Sequence, residues 1–341
     1  MENLNVVNLI QASTVSIGIL GGLLLWLSKA KKFRGISILL FCIALSAFIN
    51  ILEETGLTRD IYLISPVFIM LFGPVIYLAA KLLIDGKLAR RQYWHLLPII
   101  PFLYFTSYTY TVIGVGTLWR LVYALLTVSM LLKYKRSLDQ ERSDSDDFSL
   151  NWLVWLLAIT SIFNIIDLIR LNIQSMLPYD INVLGQGINN GIWLVASTMI
   201  IIKIKLLKQI PKQVNTTNIS PKNIETTDGA YNSIFQELDK LMISKQWFLK
   251  PRLTLADVSN LTGLQTRDIS RAINLVTTKS FNEYINNYRV NFVYLSLAND
   301  THDSLSNIAA NAGFSSKASF NKVFKQISGQ TPTEYKSQQE A

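Results

Sequence analysis

The chain has 341 residues, half of them apolar and 16% charged, with a net charge of +9 and a mean hydropathy of +0.29. One cysteine, Cys42, and two distant histidines, His95 and His302, leave no disulfide framework and no metal-ligand set, and nothing calls for a cofactor. The basic excess is not a nucleic-acid signature by itself. Residues 220–341 carry 13 basic and 11 acidic side chains, while residues 1–219 carry 19 and 12.

Most of that excess therefore lies in the apolar half, where it sets an orientation. A spanning helix needs about 20 predominantly apolar residues. Seven runs are candidates: 6–28, 35–52, 61–84, 94–110, 112–132, 151–171 and 183–204. Pro98 and Pro101 interrupt the fourth, which a membrane helix tolerates when neighbours satisfy the freed carbonyls. Tyr93, Trp94, Trp119, Trp152 and Trp193 stand near or within the ends of these runs, and several fit an interfacial belt. The N-terminal flank lacks positive charge and basic residues follow the first run, so that run reads as a span rather than a signal peptide.

The loops alternate in charge. Lys29, Lys31, Lys32 and Arg34 follow the first run, and Lys81, Lys87, Arg90 and Arg91 follow the third. Lys133, Lys135, Arg136 and Arg142 follow the fifth, and Lys203, Lys205, Lys208 and Lys212 the seventh. The other side has Arg59 and Arg170, with Arg120 at a helix start. The positive-inside rule then predicts an outside N-terminus and a cytoplasmic C-terminus. Within the spans, Asn50, Asn164, Asp167, Asn189 and Asn190 are polar. Asp167 and Arg170, three apart, are the candidate signal site, with simple pairing and snorkelling as the plainer role. The Gly18-x-x-x-Gly22 spacing permits close packing within the chain or pairing with a second copy as a homodimer.

The expected division is a seven-span region at 1–207, a linker at 208–230 and a soluble head at 231–341. The linker is polar and rich in Asn and Thr; some 22 flexible residues reach roughly 25 Å root-mean-square. Its Asn215 and Asn218 sequons are coincidental in a cytoplasmic segment. In the head, Ile234, Leu238, Leu241 and Met242 form a helical stripe, and Thr254 is the predicted cap of a helix from Leu255. Gly263 marks a turn before a helix over 266–276. The unit recurs: a helix from Ser304, a turn at Ala312-Gly313-Phe314-Ser315 and a helix over 316–327, with 281–297 as a strut between the two. Two such helices on a strut can enter successive major-groove segments about 34 Å apart.

The head's motifs are Phe281-Asn-Glu-Tyr-Ile-Asn-Asn-Tyr-Arg289-Val, Ile308-Ala-Ala-Asn-Ala-Gly-Phe314, Phe320-Asn-Lys-Val-Phe-Lys325 and Gly329-Gln-Thr-Pro332. Together they resemble the DNA-binding domain of the AraC family of bacterial transcription regulators over about residues 231–337. The resemblance implies an all-α chain in which a seven-helix membrane bundle precedes a tandem helix-turn-helix head. It offers Gln265, Thr266, Arg267, Ser270 and Arg271 from the first recognition helix to double-stranded DNA. From the second it offers Ser315, Ser316, Lys317, Ser319, Asn321 and Lys322. Arg and Lys suit guanine edges and Asn suits adenine, whereas hydroxyls at helix starts hold phosphate.

Ile269, Ile273, Phe314, Phe320 and Phe324 are expected in the core. Ser259, Val293 and Ala318 depart from the residues usual in the family and leave the base preference open. Gly73-Pro74-Val-Ile-Tyr77 and His95-Leu-Leu-Pro98 are similar to stretches of the family's membrane-bound members. The resemblance therefore implies a regulator in a bacterial inner membrane, embedded in lipid, that senses an unknown signal and performs no catalysis. No nucleotide-binding Gly-rich motif supports a sensor kinase. A transporter or receptor whose tail binds protein is the alternative.

Overall fold

The computed structural model describes residues 5–59, 61–207, 228–299 and 303–339. Linker residues 208–227, with both sequons, and His302 lie outside the described residues. Among the described residues the chain is helical and has no strand. It divides into two compact units: Met1–Leu132 with Leu150–Val214, and Lys133–Ser149 with Asn215–Ala341.

The first unit contains α1 (Val6–Trp26), α2 (Arg34–Glu54), α3 (Val67–Asp85), α4 (Ile99–Tyr104), most of α5 (Thr109–Glu141), α6 (Asn151–Ile173) and α7 (Tyr179–Leu206). Six of its helices are long and apolar enough to cross a membrane. The fourth expected span, 94–110, is not one continuous helix. A 3₁₀ turn at Arg90–Leu96 leads into the six-residue α4. Pro98 and Pro101 explain the break, because neither can donate to a preceding carbonyl and each fits only near a helix start.

That broken segment nevertheless runs beside α3. His95 Nδ1 lies 2.7 Å from the Tyr123 hydroxyl and its ring stands edge-on to Tyr77. Ile99 packs with Val67 and Met70, and the Tyr62 hydroxyl donates to the Leu103 carbonyl. Between 95 and 103 the contacts thus pass from the middle of α3 to the residues preceding it.

The glycines of α1 serve packing within the chain. A methyl on Gly18 would meet the Leu40 carbonyl and Ala44 at 2.9 Å, and one on Gly22 would meet the Phe41 ring at 2.5 Å. Both glycines are buried, and the Ser37 hydroxyl donates to the Gly22 carbonyl at 2.5 Å. The face considered for pairing with a second copy is therefore covered by α2.

The second unit contains α8 (Asp228–Lys245), α9 (Leu255–Thr262), α10 (Thr266–Thr277), α11 (Phe281–Ala298), α12 (Leu305–Asn311), α13 (Lys317–Ser328) and α14 (Pro332–Gln339). Its core has two halves. Leu238, Met242, Val258, Ile269 and Ile273 pack with the first turns of α11 through Phe281, Tyr284 and Ile285. Ile308, Ala312, Phe314, Phe320 and Phe324 pack with its later turns through Val290, Val293 and Leu297. One helix supplies both halves, so α11 is the expected strut. Arg289 fastens it. This fully buried side chain donates to the Phe248 carbonyl at 2.8 Å and the Lys250 carbonyl at 2.9 Å. Burial lowers its pKa to about 10, an effect that the Asp144 charge opposes.

Segment 133–149 belongs to this second unit although its neighbours in sequence belong to the first. It comprises the last turns of α5, a turn at 142–144 and a 3₁₀ turn at Ser145–Phe148. Arg142 pairs with Thr254 as an antiparallel bridge, and the Ser143 N–H donates to the Leu253 carbonyl at 3.0 Å.

Candidate nucleic-acid interface

Local sequence chemistry builds both pairs of short helices, α9 with α10 and α12 with α13. At α9, the Thr254 hydroxyl accepts the Asp257 N–H while the Asp257 carboxylate accepts the Thr254 N–H, a reciprocal cap. The helix ends at Gly263, whose φ of +73° is the left-handed cap that glycine enters freely. The Ser259 hydroxyl donates to the Leu264 carbonyl at 2.5 Å and closes the turn. This gives the departure at Ser259 a structural role: an alanine there has no hydroxyl to make that bond. In the second pair Ser304 caps α12, Gly313 turns at φ +87°, and Ser316 caps α13 by accepting the Ser319 N–H at 3.1 Å. The five apolar residues expected in the core, Ile269, Ile273, Phe314, Phe320 and Phe324, are all buried.

Most of the polar candidates are accessible. Gln265, Arg267 and Arg271 are exposed on the first recognition helix, while Thr266 and Ser270 are half-buried. The Arg271 guanidinium lies over the Tyr231 ring, 4.9 Å from its centroid. On the second, Lys317, Asn321 and Lys322 are exposed, and Ser315 and Ser316 are half-buried. Ser319 departs from the expectation at 6% exposure. It shares an inward face with Phe320, Val323 and Phe324, all buried, so its hydroxyl is withdrawn from a reading role.

Segment 133–149 engages several of these candidates. Asp147 accepts hydrogen bonds from the Ser315 hydroxyl at 2.8 Å and the Ser316 hydroxyl at 2.7 Å. The Lys322 ammonium donates to Asp146 at 2.6 Å, and the Ser270 hydroxyl donates to Gln140 at 3.1 Å. The segment is anchored beneath these contacts. The Asn282 amide donates to the Ser143 carbonyl at 2.8 Å, and Arg142 holds the buried Asp144 through two bonds of 2.8 and 3.1 Å. Burial would push the Asp146 carboxyl up, but Lys135 and Lys322 together hold it below its ordinary pKa. Asp146 therefore carries its charge at neutral pH, and Asp147 beside it meets the start of α13, which favours anions.

The other candidate pair, Asp167 and Arg170, forms an ion pair at 2.8 Å. Arg170 also donates to Asn182, and the Asn189 amide donates to Asp167 at 3.0 Å. Both members line a cavity of about 670 Å³ within the first unit, with Glu53, Glu54, Arg59, Arg120 and Trp193. Arg120 is buried, between the Phe72 and Trp193 rings at 5.4 and 4.5 Å. Sequence inspection missed Glu54 and Arg120 as parts of this site. Glu54 follows one apolar run and reads as an ordinary interfacial charge, and Arg120, expected at a helix start, instead lies well inside α5 (Thr109–Glu141).

The family described as a helix-turn-helix domain matches residues 258–338. Curated proteins and solved structures give no match to the chain. The C-terminal region thus carries an AraC-type helix-turn-helix domain, a type that binds DNA in transcription regulators.

Proposed function

We propose that this chain is a one-component, membrane-embedded transcription regulator that senses a signal through its helical bundle and reads promoter DNA with its head. One observation carries the reading. Arg267, Arg271, Lys317, Asn321 and Lys322 stand exposed on the two helices that follow tight glycine turns, inside the region matched by the helix-turn-helix family. The same chain has six long apolar helices with many large apolar side chains exposed, among them Leu20, Leu125, Trp155 and Ile162. Such surface is costly in water and suited to lipid.

In this reading both helix–turn–helix pairs bind DNA, held at fixed separation by α11. Arg267, Arg271, Lys317 and Asn321 read base edges, whereas Ser315, Ser316 and the start of α10 hold phosphate. The broken segment at 90–104 supplies the seventh crossing, because its contacts run from the middle of α3 to the residues before it. An outside N-terminus and cytoplasmic head then agree with the loop charges. The bundle acts on the head by population shift: a signal that binds one state more tightly favours it.

The test is DNA binding by the full-length protein in nanodiscs as salt is raised. Phosphate contacts release counterions, so the logarithm of affinity should fall linearly with the logarithm of salt. A reporter fused after Gly56 should report the exterior, and one fused at the C-terminus the cytoplasm. Absence of DNA binding, together with capture of a protein by the head, would favour the transporter or receptor reading.

A further inference from the structure

We propose that the first unit contains a binding site for a small organic anion, built around Arg120. The 670 Å³ cavity is within the usual range for small-molecule sites, about 300–1,000 Å³. Its lining carboxylates already have partners. Glu54 accepts from Asn8 at 2.8 Å, Gln11 at 2.9 Å and Gln186. Glu53 accepts the Ile64 and Ser65 backbone N–H groups at 2.8 and 2.9 Å, and Asp167 is held by Arg170 and Asn189.

Arg120 differs. It is 9% exposed, and no carboxylate pairs with it among the described residues. Its buried Nη2 has no hydrogen-bond partner. Ring faces compensate a buried cation in part, but a guanidinium carries five donors in a fork shaped for carboxylate or phosphate. The Asn189 side-chain oxygen is also buried without a partner, one helical turn before Trp193. The residues of the open donor and the open acceptor line the same cavity, as does Trp193. The occupant that satisfies both is an anion with a neighbouring hydroxyl or amino group and an apolar body against Phe72 and Trp193. A free organic acid or an anionic lipid headgroup has the anionic part of this chemistry.

This site rests on the cavity and not on the DNA-binding reading, so its test involves no DNA. Full-length protein in phosphatidylcholine nanodiscs is titrated with mandelate, phenylacetate and inorganic phosphate, reading thermal stability and tryptophan fluorescence. A second set of nanodiscs contains phosphatidylglycerol. We expect saturable binding of mandelate, several-fold tighter than phenylacetate, lost in Arg120→Gln and retained in part in Arg120→Lys. Asn189→Asp, which sets a carboxylate against the anion, should weaken binding at least tenfold and covers the case of an unstable Arg120→Gln. Stabilisation by phosphatidylglycerol alone, dependent on Arg120, would identify a lipid headgroup as the anion. No anion effect in any arm, or effects equal in wild type and both variants, would overturn the site.

A separate observation carries a second inference, which rests on the DNA-binding reading above: we infer that segment 140–147 is a built-in competitor for DNA. The Asp146 and Asp147 carboxylates and the Gln140 amide oxygen accept the bonds that phosphates would accept. Asp147 takes both hydroxyls at the start of α13, Asp146 takes Lys322, and Gln140 takes Ser270 on the other recognition helix. Ser143, Asp144 and Ser145 beneath them are buried, so the contact is built rather than incidental. The head cannot offer Ser315, Ser316 and Lys322 to DNA while the segment holds them. The test is a covalent lock in the full-length protein with Cys42→Ser: Asp147→Cys with Ser316→Cys. Oxidation should form the disulfide and weaken binding to a mixed-sequence 40-base-pair duplex at least tenfold, and reduction should restore it. A disulfide that does not form, or an oxidised protein that binds as well as the reduced one, would overturn the inference.

Discussion

The second unit holds two pairs of short helices joined by glycine turns, α9–α10 and α12–α13, under unequal constraint. The first leaves Arg267 and Arg271 exposed and gives up one recognition-helix hydroxyl, Ser270, to Gln140. The second has its helix start occupied by Asp147 and its Lys322 paired with Asp146. Their turns differ too. A methyl on Gly263 would meet nothing within 4 Å, whereas one on Gly313 would strike the Leu249 carbonyl at 2.6 Å. The second pair is thus wedged against the 248–250 turn and covered by an acidic segment, and the first is comparatively free. Regulation should act mainly on the second pair, and constitutive affinity should come mainly from the first.

Substitutions at the turns should separate the pairs most strongly. Gly263→Ala pays only for a left-handed backbone, roughly 1–2 kcal/mol. Gly313→Ala adds a backbone collision and should cost at least twice that, read as loss of the head's cooperative unfolding transition in calorimetry. Equal costs would mean that the 248–250 turn yields freely. Arg289→Met tests the fastening of the same turn. It strands the Phe248 and Lys250 carbonyls and leaves Asp144 with one fewer cation, so about 2–4 kcal/mol should be lost.

Readers come next. Arg271→Ala should cost about 1–3 kcal/mol on the preferred duplex and relax one base position, whereas Ser315→Ala should weaken all sequences alike. A uniform loss for Arg271→Ala would make it a backbone contact. Ser259→Ala should cost only about 1 kcal/mol through the Leu264 carbonyl, detectable as a small shift in thermal midpoint.

The smallest effect concerns pH. Closure holds Asp146 below its ordinary carboxylate pKa, so closure is favoured above that value and lost as pH falls through the depressed one. The Asp146 contribution to closure should therefore be constant from pH 8 to 5. A change in segment 140–147 hydrogen exchange over that range, after correction for intrinsic rates, that disappears in Asp146→Asn would contradict the assignment.

Much of the head was legible because local rules agree there. Capping residues, glycine turns and apolar spacing place α9 to α13 within a residue or two of expectation. Ser319 escaped because reader positions were carried over one by one, although its spacing from Val323 marks the inward face. The broken fourth run was visible in Pro98 and Pro101, but its course beside α3 depends on contacts such as His95 to Tyr123. The covering segment was invisible for a different reason. Asp144, Asp146 and Asp147 look like a solvated charge run, and the contacts that tie Asp146 and Asp147 to α13 and its start lie 168 to 176 residues away in sequence. Arg120 and Glu54 were hidden likewise, since each reads in sequence as a single charge beside apolar residues while the cavity draws on six helices.

The most direct measurement is the duplex affinity of full-length Asp146→Asn/Asp147→Asn in nanodiscs, set against Glu237→Gln/Asp303→Asn. The latter removes the same charge from two exposed positions on the head. If the acidic segment competes with DNA, the first variant should bind at least tenfold tighter than the charge-matched control and wild type. Equal affinity of the two variants would reduce the effect to net charge and contradict the account.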